Sequence, residues 1–292
     1  MNKKIFTWTG LIFYTIILSL LMIFYRLPAD KLIASTLDRY SDGRLLFKAE
    51  KTAYIFPSEY RMEEISFGLH LGETPISDHL RSLSFGPDYG ALFSGYLPIK
   101  IKGLMSRGDI TAKVGISIRD GLNNGYLSIN FNDLYLDDLN IFKSFSDRAL
   151  KGKMKGELSL EGDLIDPANL HGKGRFMMKE GAIGTKIDIP GMNEVPFNNL
   201  QIDFSIKNGM ISLKKSEMTG PLFSGKFFGE IKLKKKIVES RINIRGEMSL
   251  GPLAGKNQFI VQFIKKIRKN KGPFIIKMEG TLERPIIFWS KS

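Results

Sequence analysis

Over most of the chain, apolar and polar residues alternate with a period of two. Ile110, Ala112, Val114, Ile116 and Ile118 fall on one side of an extended segment, and Thr111, Lys113, Gly115, Ser117 and Arg119 on the other. Ile65, Phe67, Leu69 and Leu71 repeat the pattern, as do Leu200, Ile202, Phe204 and Ile206. That last run enters Asn208-Gly209, a strong hairpin signal, and leaves through Ile211 and Leu213. Leu150, Met154, Leu158, Leu160 and Leu164 share a face with Gly152, Gly156 and Gly162, opposite Lys151, Lys153, Lys155, Glu157, Ser159, Glu161 and Asp163. Phe227, Gly229, Ile231 and Leu233 follow, then Ile242, Ile244, Gly246, Met248 and Leu250, then Phe274, Ile276, Met278, Gly280 and Leu282. One greasy face and one wet face per strand predict a mainly β protein built on antiparallel pairing. The five apolar residues from Leu150 to Leu164 make a candidate groove or core face.

Glycine recurs on the apolar face, at Gly152, Gly156, Gly162, Gly229, Gly246 and Gly280. Glycine inside a strand marks a bend, a bulge or a close approach, so an extended, curved sheet is expected, with a closed barrel and a sandwich as alternatives. Glu161-Gly162-Asp163-Leu164-Ile165-Asp166-Pro167 and Glu279-Gly280-Thr281-Leu282-Glu283-Arg284-Pro285 share an E-G-x-L-x-x-P pattern. Each is expected to end a strand at a proline-stopped edge.

Four stretches depart from the period of two. Ile5 to Tyr25 is 21 residues without a charge, and at about 1.5 Å per residue it reaches roughly 30 Å, the depth of a bilayer's hydrocarbon core. Trp8 and Tyr25 lie toward its ends, and no small-residue cleavage site follows, so an uncleaved anchor is expected over a signal peptide. Pro28 to Tyr40 reads as a short amphipathic helix, with Leu32, Ile33, Leu37 and Tyr40 on one side. Two more short helices are expected, one from Asp138 to Leu150 and one from Asn257 to Lys271. In the second, Phe259, Ile260, Phe263, Ile264 and Ile267 form the stripe, and Lys265, Lys266, Arg268, Lys269 and Lys271 crowd the carboxyl end. Packing on the sheet with a solvated basic end is the plain reading of this helix, and contact with an anionic membrane surface is the functional one. The chain thus divides into a tail (1–4), an apolar span (5–25), a linker helix (26–44) and a β region (45–292), whose parts are 45–145 and 146–292.

Composition narrows the function classes. Among 292 residues there are 43 Lys+Arg against 30 Asp+Glu, a net charge of +13, and no cysteine. Cysteine-free, the chain has no disulfide, thiolate metal site or cysteine nucleophile. The three histidines, His70, His79 and His171, show no ligand spacing, and His70 is expected on the wet face of its strand. Gly220-Pro221-Leu222-Phe223-Ser224-Gly225-Lys226 has the spacing of a phosphate loop, but Phe227 replaces the Ser or Thr that would hold magnesium, and the run leads into a strand. Asp137-Asp138 reads as a helix cap rather than an acid–base pair. No catalytic site, metal site or cofactor is expected, and no nucleic-acid motif accompanies the basic residues.

The span, the Pro-led helix and the long run of amphipathic strands resemble the type II secretion system protein N family (GspN) in its larger form. LKGKMKGELSLEGDLIDPANLHGKGRFMMKEGAI (Leu150–Ile183), IDIPGMNEVPFNNLQIDFSIKNGMISLKKSEMTGPLFSGKFFGEIKL (Ile187–Leu233) and MEGTLERPIIF (Met278–Phe288) carry the resemblance. The same region is similar to the AsmA-like superfamily, whose strands build apolar grooves between bacterial membranes. The resemblance implies a cytoplasmic tail, a single inner-membrane span and a periplasmic β domain. Its expected partners are the inner membrane and other type II secretion components, with phospholipid or another envelope lipid implied by the AsmA-like character. It carries no reactive residue.

Overall fold

The computed structural model describes residues 45–70, 75–91, 94–140, 150–189, 192–256, 258, 260–262, 273–282 and 284–290, together with 15, 19, 22, 28 and 30–35 nearer the N-terminus. Its strands are β1 (Leu45–Ile55), β2 (Glu59–His70), β3 (Pro75–Pro87), β4 (Tyr96–Leu104), β5 (Asp109–Ser117), β6 (Gly121–Tyr135), β7 (Leu150–Gly162), β8 (Leu170–Ile189), β9 (Met192–Lys207), β10 (Met210–Thr219), β11 (Phe223–Lys232), β12 (Arg241–Leu250), β13 (Phe274–Thr281) and β14 (Pro285–Ser290). They form one curved, open antiparallel sheet in which every strand pairs only with its neighbours in sequence. β1 and β14 are its two edges, so the sheet is neither a closed barrel nor a sandwich.

This up-and-down order gives the sheet two distinct ends. The chain enters β1 at the near end, which also carries the connections β2–β3, β4–β5, β6–β7, β8–β9, β10–β11 and β12–β13. The far end carries the other seven hairpin turns. Among them is Asn208-Gly209, where both residues have positive φ (49° and 67°), as the sequence signal requires. Gly209 is also sterically required: a Cβ there would lie 2.6 Å from Ala168 Cα in the adjoining turn.

The apolar face is buried chiefly at the near end. Met105, Leu134, Leu136, Leu139, Met154, Phe197, Met218, Phe223, Met248 and Phe274 form one cluster there. Ala254 and Ile260, both fully buried, join it from the β12–β13 connection, which plugs this end of the curl. Of the basic helix expected over 257–271, Gln258 and Ile260–Gln262 are helical, whereas Lys265, Lys266, Arg268, Lys269 and Lys271 lie outside the described residues. A second cluster of Tyr60, Met62 and Ile65 takes in Ile33 from the helical stretch 30–35, while Leu32 on that stretch is 49% exposed. In the apolar span, Thr15, Ser19 and Met22 are helical and exposed, and its other residues lie outside the described set. Among the described residues no helix is long and apolar enough to cross a membrane. Residues 141–149 of the helix expected after Asp138 also lie outside that set.

Several expectations are corrected. β5 ends at Ser117, so Ile118 leaves the apolar row and is 65% exposed. Gly115 and Ser117, expected on the wet face, are buried there; the Tyr126 ring covers Gly115 and packs edge-on against Tyr96, with centroids 5.4 Å apart. Leu250 closes its row at 39% exposed. The two E-G-x-L-x-x-P segments occupy far-end turns, and β7 is interior rather than an edge, with Pro167 inside a short 3-10 turn. Asp137 and Asp138 themselves lie within a 3-10 turn, Leu136–Asp138. Asp138 takes Arg107 through both carboxylate oxygens, at 2.7 and 3.0 Å, and Asp137 accepts the Gly152 N–H at 2.9 Å. The N–H of Asn140 goes instead to buried Asp78 on β3, at 2.6 Å.

The wet face is laced by cross-strand ion pairs. At a bulge in β6, Asp133 (φ 53°) receives Lys153 at 3.0 Å and Lys155 at 3.1 Å. These lysines, Lys153 first, hold the Asp133 carboxyl below the usual carboxylate range. A carboxyl depressed in the folded state adds stability above its unfolded pKa and loses it as pH falls through the folded value. Asp133→Asn, which still tolerates positive φ, should therefore lose less stability than the parent between neutral pH and about pH 3. Because the pair is solvent-exposed, the difference in urea midpoints should be small.

Candidate functional site

Toward the far end the apolar face is left open as a trough. It spans β8 to β13 and has a volume of ≈ 410 Å³. Phe176, Ile183, Leu200, Ile202, Phe204, Ile211, Leu213, Ser216, Met218, Phe227, Ile231, Ile244 and Met278 line it, and Ser216 is the one polar side chain among them. Ladder register stacks these residues in layers. Ile211 faces Ile206 and Ile231; Leu213 faces Phe204; Ser216 faces Ile202; Met218 faces Leu200. The Met218 layer merges into the buried near-end cluster, so the trough has a closed base and an open mouth.

The glycines on this face make room for aromatic rings. Gly156 pairs with Phe131 on one side and Phe176 on the other, and the two rings meet over it with centroids 5.8 Å apart. A Cβ on Gly156 would stand 2.4 Å from the Phe176 ring. Phe204 lies over Gly174 in the same manner and stacks on Phe176, again at 5.8 Å. The aromatic row thus crosses from β6 to β9 above glycines and forms one wall of the trough.

Ser216 reaches this face because β10 carries a bulge. Register with β9 slips between Leu213 and Lys215, so Lys214 and Lys215 are both exposed and the inward set changes from odd to even numbers. Ser216 is 3% exposed, and its Oγ has no hydrogen-bond partner among the described residues. A buried hydroxyl without a partner costs about 1–3 kcal/mol of desolvation.

The face expected from Leu150 to Leu164 runs alongside the trough rather than through it. Leu150, Met154, Leu158 and Leu160 do share one side of β7. Met154 belongs to the near-end cluster and Leu150 packs against it, while Leu158 and Leu160 are half-buried. Leu164 lies past the end of β7, in the turn that follows, against Gly125. The trough residues themselves alternate as visibly in the sequence as those of β7. What singles them out is the curl of β8–β13, which no local pattern encodes.

Other chemistry is sparse. Among the described residues no three His, Cys, Asp or Glu side chains are grouped as a metal ion would require. His79 contacts the Ser66 hydroxyl through Nδ1 at 3.1 Å, and His171 is exposed. The phosphate-loop-like run from Gly220 to Lys226 connects β10 to β11 and opens no helix. Compared with family models, with curated proteins and with solved structures, the chain finds no match.

Proposed function

We propose that the chain is a non-enzymatic component of the bacterial envelope, anchored in the inner membrane by residues 5–25, with its sheet in the periplasm as part of the type II protein secretion system. The sequence resemblance motivates this reading, and the observation that carries it is a free sheet edge. Among the described residues β14 pairs only with β13; it contains no charged residue and leaves Ile286 and Phe288 53% and 46% exposed. Such an edge offers unpaired N–H and C=O groups to an added strand, and it lacks the lysines that commonly guard one.

Two experiments test it. Removing residues 1–25 should release a folded β protein that no longer sediments with membranes; persistent sedimentation would move the anchor to the basic helix. A photocrosslinker at position 288 should trap a secretion component in cells, and adding Ile286→Lys should abolish the adduct without lowering the melting temperature. Unchanged protein export after gene deletion, with no secretion genes nearby, would remove the proposal.

The trough favours a second reading, an AsmA-like lipid-binding or lipid-bridging protein. A pocket of this size, lined by aliphatic and aromatic side chains, suits an apolar guest. Envelope lipid should then co-purify after mild detergent extraction, and its absence would count against this reading.

A further inference from the structure

We infer that the trough holds one acyl chain of a single-chain anionic amphiphile, inserted tail-first from the far end, and that it is a blind pocket rather than a duct toward the membrane anchor. This rests on the lipid-binding reading. The two ends of the apolar face differ in a way that fixes the direction. At the near end Phe197, Phe223 and Phe274 are no more than 3% exposed, and fully buried Ala254 and Ile260 close the curl behind them. In the far-end layer Ile211 and Ile231 are half-buried beside Ile206 and Ile242, each 7% exposed, so this end is the less tightly sealed of the two.

Volume limits the guest. At roughly 30 Å³ per heavy atom, water's share of liquid volume, ≈ 410 Å³ takes on the order of 14 such atoms. That is one acyl chain and not a pair. The length agrees: the seven steps along the eight residues from Ile211 to Met218 span on the order of 20 Å at ~3.3 Å each.

Charge fixes the head. The far-end turn between β11 and β12 carries Lys234, Lys235 and Lys236, all exposed, whereas Lys232 and Arg241 stand on the wet face in line with Glu230 and Glu279. Among the described residues the one salt bridge in this group is Lys236 with Glu239, at 3.4 Å. An anionic head at the mouth meets this basic rim while the tail replaces water against the aliphatic wall. Ser216 marks the floor. Its hydroxyl bonds nothing among the described residues, so Ser216→Leu gives up no internal hydrogen bond while it shortens the pocket.

The full chain in nanodiscs, given palmitic acid with a diazirine at its methyl end, tests this by mass-spectrometric mapping of the adducts. The methyl-end label should react near Ser216, Met218 or Phe227, and a label beside the carboxylate near Ile211 or Ile231. Unlabelled palmitate should compete at least tenfold better than hexadecyltrimethylammonium. That preference should vanish in the variant carrying Lys234→Gln, Lys235→Gln and Lys236→Gln. Ser216→Leu should shift competition toward laurate. Reversed label positions, adducts on Ala254 or Ile260, or equal competition by the cation would each overturn the inference while leaving a lipid site standing. Absence of any adduct in the trough would instead remove the lipid reading itself.

Discussion

Met154→Asp should abolish cooperative folding. Met154 is 6% exposed within the near-end cluster, and no basic side chain belongs to that cluster. A carboxylate placed there is a buried charge without a counter-ion, a change of about 3–5 kcal/mol, against a typical total stability of ~5–15 kcal/mol. Two more substitutions on the same strand calibrate it. Leu160 is half-buried on the same face, where water reaches the side chain, so Leu160→Asp should fold with a lowered midpoint. Ser159 faces outward and is already exposed, so Ser159→Asp should be neutral. Thermal unfolding of the three variants by circular dichroism reads this gradient directly. Equal effects at 154 and 160 would mean that the face is buried evenly along its length, contrary to the closed and open ends described above.

Phe197→Ala should cost about 3–5 kcal/mol, the range for emptying a buried aromatic site. The Phe197 ring is 2% exposed and covers Gly181, where an added Cβ would meet it at 2.3 Å. Glycine on one strand and ring on the next thus fill a single space, and the backbone cannot collapse into the void. Phe204→Ala removes the same atoms from the trough wall, where the ring is only half-buried. It should cost clearly less in urea unfolding and should weaken palmitate labelling more. A matched loss of stability at both sites would argue that the trough is sealed.

The period of two made the sheet legible before any coordinate. Eight of the fourteen strands (β2, β5, β7 and β9 to β13) match the alternating runs, and the one hairpin named from its turn residues, Asn208-Gly209, is where it was expected. What the pattern hides is where parity breaks. The inward set of β2 passes from Tyr60 and Met62 to Ile65 through Glu64 at φ 49°, and that of β10 passes from Leu213 to Ser216 through a slipped register. A bulge inserts one residue without a hydrophobic signature, so Ser216 reads as a wet-face serine until the ladder is traced. Partners distant in sequence are equally silent. Asp78 serves Asn140 across 62 positions, and no local rule marks it. The trough was half legible: its residues stood out as apolar, but the choice of β8–β13 over β7 depends on curvature, which sums small twists over many strands.

Pairing only between sequence neighbours has a kinetic consequence. Each ladder closes a short loop, so the entropy lost before a new strand is rewarded stays small and nearly constant along the chain. The sheet can grow strand by strand from β1, each hairpin templating the next, as suits a chain delivered progressively from one end. The plug breaks this locality. Ala254 and Ile260 join a cluster that begins with Met105, so sealing the near end must wait until most strands are laid down. Until then the apolar face is open at both ends, and a growing molecule exposes its greatest area of grease just before the last turn of chain covers it.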